Sequence, residues 1–347
     1  MKKRVLIGIN NLYANSVGIS LINLLNSFDT MKYEIDLIFV NSQTNVLNQI
    51  PKVVNILYSP FTKKNINFFN KLKMFKKYDL GLVYDLGDLE LNKIIKFSSK
   101  RTALYIHKNL RSIYVVPAQY DEYIATNKVL GFDKLLFANH SLMDAFVKYH
   151  PQVKDKSFVV EYLINDKYIL NMSKAHIEVA KPNHTTLLVS VGTLNDRAKN
   201  FSLMIKMMSN LIKINNHVQL WIFGDGPDLV NIKMQVHQLG LDEYVKLFGF
   251  KNNPYPYMAL ADYILNTSDS FDSSMALIEA RVLEKPIITT GIDTVTDNTH
   301  IISSDPEKIA LDVNNIIMGG IRYTGTNNFW AENQHLLKTI DYIFDKK

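Results

Sequence analysis

The sequence contains no cysteine, which excludes disulfide bonds, thiol catalysis and cysteine-ligated metal sites. A chain without cysteine fits a reducing cytoplasm. Long apolar runs are also lacking, because no stretch reaches the roughly 18 apolar residues that cross a bilayer. The basic amino terminus, MKKRVLIGIN, has an apolar run too short for a signal peptide and predicts a buried strand. These absences predict a cytoplasmic protein.

Several functional motifs are missing as well. The loop 10–18 has one glycine and no G-x-G-x-x-G, which argues against a dinucleotide-dependent dehydrogenase. No D-x-D motif is present, so no metal site is expected. No two acidic residues lie in matching motif contexts, so a paired-carboxylate hydrolase fits poorly.

The bulk composition predicts two domains and an anionic partner. A chain of 347 residues suffices for two domains of roughly 150 residues each. The formal net charge is +6, yet no zinc-finger, homeodomain or RNP-like motif accompanies it, so nucleic acid is disfavoured. Nucleotide diphosphates and anionic lipid head groups explain the same charge.

The first half alternates strand-like and helix-like segments. Strand candidates Val5–Ile9 and Glu34–Val40 flank a helical stretch, Val17–Phe28, and this spacing predicts a parallel sheet with a right-handed crossover. Gly18 follows the first strand, where it serves either as a turn glycine or as a point of close backbone approach to a ligand.

The segment 264–290 carries the strongest site pattern. A short strand leads into a small-polar loop, Asn266–Ser274, then a helix, Met275–Leu283, and a second strand, Pro286–Thr289. In a parallel α/β sheet this order makes a ligand crevice, and the helix start suits a phosphate. Glu279, a turn into the helix, is either a solvated carboxylate or an acceptor for ligand hydroxyls.

The segment Pro60–Tyr78 is the most biased in composition. Its lysines, between Lys63 and Lys77, are interleaved with apolar residues, of which Phe68, Leu72 and Phe75 share one helical face. Such a helix either lies at an anionic membrane surface or is an ordinary domain helix with a solvated lysine face.

The segment 264–290 resembles the nucleotide-binding half of family-four glycosyltransferases. The resemblance rests on the strand, the polar loop, the SSMALIEA helix and the following KPII strand. The resemblance implies the GT-B fold: an α/β protein with two Rossmann-like, doubly wound parallel-sheet domains facing each other across a cleft. The expected parts are an acceptor-binding domain at 1–164, a linker at 165–185, a nucleotide-sugar-binding domain at 186–325, and a helix at 326–347 that crosses back to the first domain.

The family's signature has two glutamates eight residues apart. Glu279 matches the second, which the family uses to hold the ribose of the nucleotide sugar, whereas the first falls on Phe271. A pattern like GRL-x4-KG supplies an arginine and a lysine to the donor diphosphate. Lys199 matches the lysine, Thr193 stands at the arginine, and Arg197 of the same loop is the candidate substitute for that arginine.

Further site residues follow from the resemblance. His107 in LYIH matches a histidine that the family places near the transferred sugar, although a lone histidine is usually structural. With Lys199 and Arg197 it makes up the catalytic set. The donor-sugar candidates are Asp269, Phe271 and Asp272, and the nucleotide-sugar-binding candidates are Gly18, Gly192, Thr193, Gly224, Asp225, Gly226, Ser273, Ser274, Met275 and Glu279.

The resemblance implies transfer of a sugar, with retention, from a nucleotide-diphosphate sugar to a hydroxyl of a glycan or lipid-linked acceptor. The nucleotide sugar is a co-substrate, and neither cofactor nor metal is expected. The alternative is a non-catalytic subunit that binds a partner glycosyltransferase or a glycan, since Phe271 and Thr193 depart from the pattern. An epimerase of the same fold has no supporting motif. The resemblance supports the membrane interpretation of the basic segment, which would place the protein peripherally at the inner face of the plasma membrane.

Overall fold

The structure is a computed structural model that describes residues 2–12, 16–39, 47–58, 77–114, 116–177, 179–268, 275–291, 299–320 and 329–345. The chain forms two compact units. The first comprises Met1–Ile164 and Phe329–Lys347, and the second comprises Asn165–Asn328. None of the described helices is both long enough and apolar enough to cross a bilayer.

The first unit is built on a seven-stranded parallel sheet in the order β3-β2-β1-β4-β5-β6-β7. Every residue of its central strands β4 and β5 is buried, as expected of parallel strands covered on both faces. The strand order reverses between β1 and β4. The strands are β1 (Lys3–Ile9), β2 (Tyr33–Phe39), β3 (Asn55–Tyr58), β4 (Leu80–Tyr84), β5 (Thr102–Ile106), β6 (Lys134–Phe137) and β7 (Ser157–Val159).

Short polar residues begin three helices of the first unit. Asp88, Asn109 and Asn139 each accept a hydrogen bond from a backbone amide of the first turn, which otherwise has no partner within the helix. The described helices of this unit are α1 (Ser16–Ser27), α2 (Leu89–Ser98), α3 (Leu110–Ile113), α4 (Pro117–Thr126), α5 (His140–Tyr149) and the carboxyl-terminal helix, Phe329–Asp345, with 3-10 turns at Leu47–Gln49, Val129–Gly131 and Pro151–Lys156.

The carboxyl-terminal helix, Phe329–Asp345, belongs to the first unit although it follows the second in sequence. The Asn333 amide pairs with the Ile164 backbone, donating to its carbonyl at 2.6 Å and accepting from its amide at 3.0 Å. The Tyr33 hydroxyl donates to Asp341 at 2.6 Å. These bonds attach the helix to the strand that begins at Tyr33 and to Ile164, which follows the last strand of the first sheet.

The second unit has a six-stranded parallel sheet in the order β10-β9-β8-β11-β12-β13. Its core is formed by apolar residues of the central strands and by one face of a long helix, Phe201–Ile214, which buries Met204, Met207 and Met208. The strands are β8 (Thr186–Val191), β9 (Val218–Phe223), β10 (Val245–Gly249), β11 (Tyr263–Asn266), β12 (Ile287–Thr289) and β13 (Thr299–Ile301), and the helices are α6 (Asp166–Met172), α7 (Asp196–Lys199), α8 (Phe201–Ile214), α9 (Leu229–Gln238), α10 (Tyr255–Leu260), α11 (Met275–Val282) and α12 (Ile309–Met318), with Phe329–Asp345 as α13.

The segment 165–185, expected to be a linker, contains helix α6 and groups with the second unit. Asn165 caps this helix by accepting from the Tyr168 amide at 3.0 Å. Further along, Lys181 pairs with Asp262 at 2.5 and 2.6 Å, and Asp262 also accepts from the Leu187 amide. The helix cap and this ion pair therefore attach the expected linker to the second unit.

Candidate active site

Two glycine-containing loops meet at the carboxyl ends of β8 and β9. The Gly192 amide donates to the Phe223 carbonyl at 3.0 Å, and the Gly224 amide donates to the Gly249 carbonyl at 2.9 Å. Gly224 has φ +148°, and a Cβ added there would lie 1.8 Å from the Gly192 carbonyl oxygen. Only glycine fits this position, so the sequence sets how closely the two loops approach.

The next residues continue the contact between the loops. The Leu194 amide donates to the Asp225 carbonyl at 3.0 Å, and a Cβ on Gly226 would lie 2.4 Å from the Leu194 carbonyl oxygen. Four predicted donor-binding residues therefore lie together at the carboxyl ends of the strands of the second sheet, namely Gly192, Gly224, Asp225 and Gly226. In parallel α/β sheets ligands bind outside this carboxyl edge.

The basic loop of the second unit is anchored at the same edge. The Asp196 amide donates to Asp228 at 2.8 Å, and the Asp196 carboxylate accepts from the Ser202 amide at 2.6 Å. Downstream, the buried Thr267 hydroxyl lies 3.1 and 2.9 Å from the carbonyl oxygens of Lys199 and Asn200. These bonds tie the loop after β8 to the carboxyl end of β11.

The three candidate residues of this loop differ in exposure. Thr193 and Arg197 are exposed, whereas Lys199 is half-buried. Arg197 and Lys199 both lie in the single-turn helix α7. Because they are two residues apart, they project in different directions around the helix axis. Lys199 is thus the less exposed of the two cations.

Glu279 is buried in α11, with 7% of its surface exposed. The Tyr255 hydroxyl of α10 donates to its Oε1 at 3.0 Å. Burial raises the pKa of the Glu279 carboxyl from 4.5 to about 7, and the hydrogen bond from Tyr255 opposes that rise. The interpretation of Glu279 as a solvated helix carboxylate is therefore wrong. A titratable group held this way is typical of functional sites.

The loop before α11 carries several predicted residues that lie outside the described part of the chain: Asp269, Phe271, Asp272, Ser273 and Ser274. Met275, the first residue of α11, is 4% exposed. The described flanks of the loop are well fixed, since Ser268 is buried and the Asn266 amide donates to the Thr289 hydroxyl at 3.2 Å.

His107 lies in the first unit, directly after β5, and is 2% exposed. Its Nδ1 is 3.0 Å from the Tyr162 hydroxyl, and its ring contacts Tyr84 and Tyr105 at centroid distances of 4.7 and 4.1 Å. Burial, with a smaller effect of Lys108, lowers the pKa of His107 to about 3, so the ring is neutral. Its Nε2 has no hydrogen-bond partner among the described residues.

Gly18 lies in the first turn of α1 and is buried. Two residues further on, the Ser20 hydroxyl is 2.9 Å from that of Tyr84, the same tyrosine that packs on the His107 ring. The start of α1 is thereby linked to the aromatic side chains around His107.

Sequence patterns missed Tyr255, Thr267 and the tyrosines around His107. Tyr255 and Glu279 are 24 residues apart and lie on different helices, and Thr267 is 68 residues from Lys199. No periodicity or local motif connects residues at such separations. Only the tertiary contacts place them beside the candidate residues.

Comparison with known proteins gives one family match, which lies within the second unit. Residues 185–318 match the family model described as glycosyl transferases group 1. The matched range contains both glycine loops, the basic loop and Glu279.

Two curated relatives match over a limited length. An N-acetylgalactosaminyltransferase of Campylobacter jejuni, which acts on a diphospho-undecaprenol-linked N-acetylgalactosamine–diacetylbacillosamine, is 30% identical over 128 residues, 37% of this chain and 33% of the relative. A Staphylococcus aureus poly(ribitol-phosphate) α-N-acetylglucosaminyltransferase is 24% identical over 132 residues, 35% of this chain and 27% of the relative. The match therefore spans about a third of the length of these relatives.

Solved structures resemble the chain over nearly its whole length. Anabaena HepE in complex with UDP and glucose has a TM-score of 0.75 at 14% identity and covers 97% of this chain and 99% of its own. A variant of S. aureus TarM, in complex with fondaparinux, α-GlcNAc-glycerol and UDP, has a TM-score of 0.72 at 11% identity, with 99% and 100% covered. The predicted fold class, GT-B with two parallel-sheet α/β domains, is confirmed.

Proposed function

We propose that this chain, with a group 1 glycosyltransferase segment at residues 185–318 as its nucleotide-binding part, transfers a sugar from a nucleotide-diphosphate sugar to a hydroxyl acceptor. The observation that carries the proposal is the buried carboxyl of Glu279, in the same unit as the paired glycine loops and the half-buried Lys199. A carboxyl at the carboxyl edge of a parallel sheet can accept hydrogen bonds from ribose hydroxyls.

The proposed reaction breaks the bond between the anomeric carbon and the diphosphate and forms a bond from that carbon to the acceptor oxygen, with retention. The acceptor proton leaves toward the departing diphosphate. Negative charge grows on that diphosphate, and Lys199, assisted by Arg197, would stabilise it. The lack of a D-x-D motif motivates the proposal that this occurs without a divalent ion.

His107 is proposed to hydrogen-bond the sugar being transferred. Its Nδ1 is used by Tyr162, so Nε2 is the nitrogen left for a sugar hydroxyl, and a neutral ring can accept or donate there. Gly18, in the same unit, is proposed to line the acceptor or phosphate side of the site.

The acceptor is proposed to be a glycan or a lipid-linked glycan, handled by the first unit. Support comes from the names of two relatives, one of which refers to a diphospho-undecaprenol-linked sugar and the other to poly(ribitol phosphate). The protein would then work in the cytoplasm, at the inner face of the plasma membrane.

A non-catalytic subunit that binds a glycan or a partner glycosyltransferase is the second candidate. It is favoured by Phe271 and Thr193, which replace a glutamate and an arginine of the family pattern. Asp269 or Asp272 can supply a carboxylate from one or two residues away, which favours the enzyme.

The test is a calorimetric titration of the full chain with UDP and GDP, followed by incubation with their sugars. We expect one nucleotide to bind, and Glu279→Ala to weaken it by about ten- to a hundredfold, since hydrogen bonds to charged groups contribute about 1.5–3 kcal/mol. Slow donor hydrolysis reports catalysis even without the acceptor.

Unchanged nucleotide affinity in Glu279→Ala would refute the donor site. Nucleotide binding without hydrolysis or transfer of any donor, together with tight binding to another glycosyltransferase, would favour the non-catalytic subunit.

A further inference from the structure

Tyr255 is the described side chain that contacts the Glu279 carboxyl by a hydrogen bond. The hydroxyl lies 3.0 Å from Oε1, and the two residues are 6% and 7% exposed, so water has little access to their contact. Among the described residues, no hydrogen bond to the second oxygen, Oε2, is formed. Tyr255 thus engages one oxygen of the carboxyl, and the other receives no hydrogen bond from the described residues.

The position of Tyr255 is fixed by contacts with Asn253 and with helix α6. It is the first residue of α10, and its backbone amide donates to the Asn253 side chain at 3.3 Å. The Asn253 amide in turn donates to the Met172 carbonyl at 2.9 Å, and the ring of Tyr168 packs edge-on against that of Tyr255. Helix α6 therefore holds both the backbone and the ring of Tyr255.

We infer that Tyr255 is a positioning residue of the donor site, whose hydroxyl orients the Glu279 carboxylate so that Oε2 accepts a hydrogen bond from the nucleotide ribose. This inference rests on the proposed function, because it presumes that Glu279 meets a ribose. A buried acceptor oriented in advance binds its ligand without first having to be ordered.

The charge state of Glu279 gives the inference a second readout. Burial raises its pKa to about 7, and the Tyr255 hydrogen bond is the interaction that lowers it. Helix α6, which packs against α11, faces this pair with Tyr168 and also carries Asp166 and Lys167. Burial and the neighbouring carboxylate raise the pKa of the Tyr255 phenol, so it stays a neutral donor. Removing its hydroxyl should raise the pKa of Glu279 further.

The experiment compares wild type, Tyr255→Phe and Tyr168→Phe by titration with UDP and GDP from pH 6 to pH 9. Ribose binding to the ionised carboxylate should strengthen as pH rises through about 7 in wild type. In Tyr255→Phe we expect about tenfold weaker binding at pH 7.5 and a midpoint at higher pH. Tyr168→Phe keeps the ring that packs against Tyr255 and leaves the Tyr255–Glu279 hydrogen bond intact. Its nucleotide affinity and pH midpoint should therefore match those of wild type.

A 2′,3′-dideoxy nucleotide diphosphate separates positioning from a general structural role. Because it has no ribose hydroxyls, it should bind wild type and Tyr255→Phe alike. If Tyr255→Phe weakens the binding of the dideoxy nucleotide as much as that of UDP or GDP, Tyr255 supports the fold of the unit and the inference is wrong. The inference is also wrong if Tyr255→Phe changes neither the affinity for UDP and GDP nor the pH midpoint. In both cases the donor-site proposal still stands. If wild type binds neither nucleotide, the donor-site proposal itself fails, and the inference fails with it.

Discussion

At the scale of single residues, burial decides what the ionisable groups do. Glu279 and His107 are both almost fully buried, and in both cases burial moves the pKa toward the neutral form. The carboxyl therefore titrates near neutral pH, while the imidazole stays uncharged throughout the physiological range. Each is bonded to one tyrosine hydroxyl, which fixes the orientation of the group.

The raised pKa of Glu279 predicts a pH-dependent stability. Between pH 4.5 and about 7 the folded protein holds more protons than the unfolded chain, so stability falls as pH rises through this window and is lowest above it. Glu279→Gln, which is neutral and can still accept from Tyr255, should be more stable than wild type at pH 8, by on the order of 3 kcal/mol at most.

This is measured by denaturant unfolding of the nucleotide-free proteins at pH 5 and pH 8. The difference between variant and wild type should grow from pH 5 to pH 8. The same difference at both pH values would show that burial does not destabilise the ionised carboxyl.

At the scale of elements, the segment from β8 through α7 to α8 carries the basic candidate residues. Its conformation is set by the Gly224 contact with Gly192, by the Asp196 bonds and by Thr267. These three contacts fix the backbone of the loop that carries Lys199. Arg197, exposed on the same turn, is less constrained.

Lys199→Ala should lower the rate of donor hydrolysis or transfer by about 10²-fold, the effect typical of losing one preorganised charge-stabilising group. Arg197→Ala should cost less if Arg197 only assists, and a comparable amount if it replaces the arginine that Thr193 displaces. The matched control is Lys213→Ala, which removes the same charge from the exposed end of α8. An effect of Lys199→Ala no larger than that of this control would exclude Lys199 from the reaction.

At the scale of the whole molecule, the chain forms two parallel-sheet units, one of which includes the carboxyl-terminal helix. The basic segment Lys63–Lys77 lies in the sequence of the first unit and, apart from Lys77, outside the described residues. Its proposed contact with an anionic membrane remains a prediction from sequence.

The full chain should sediment with anionic vesicles more than with neutral ones, and less so as salt rises, because the attraction is electrostatic. Changing Lys63, Lys64, Lys76 and Lys77 to Gln should reduce this binding. The control changes an equal number of exposed lysines in the second unit, namely Lys174, Lys213, Lys233 and Lys251. Equal losses in the two variants would mean that net charge, and not the segment, drives the binding.

The sequence by itself determined the fold class and several elements of the second unit. The predicted helix Met275–Leu283 and strand Pro286–Thr289 agree with the observed α11 and β12 to within one residue at each end, because a helical period and an unbroken apolar run leave few alternatives. The glycine positions were likewise readable, since GDGP is a local turn signal. The short strands β3 and β10 were missed, because edge strands are half-exposed and lack such runs.

Only the tertiary structure decided the state of the site residues. Whether Glu279 is solvated or buried, and whether His107 is charged or neutral, depends on side chains distant in sequence that close around them. Tyr255 reaches Glu279 across two helices, and Thr267 reaches the Lys199 carbonyl from another strand. The sequence encodes local conformation through periodicity and turn residues, whereas a pKa depends on the three-dimensional exclusion of water, which no local pattern records.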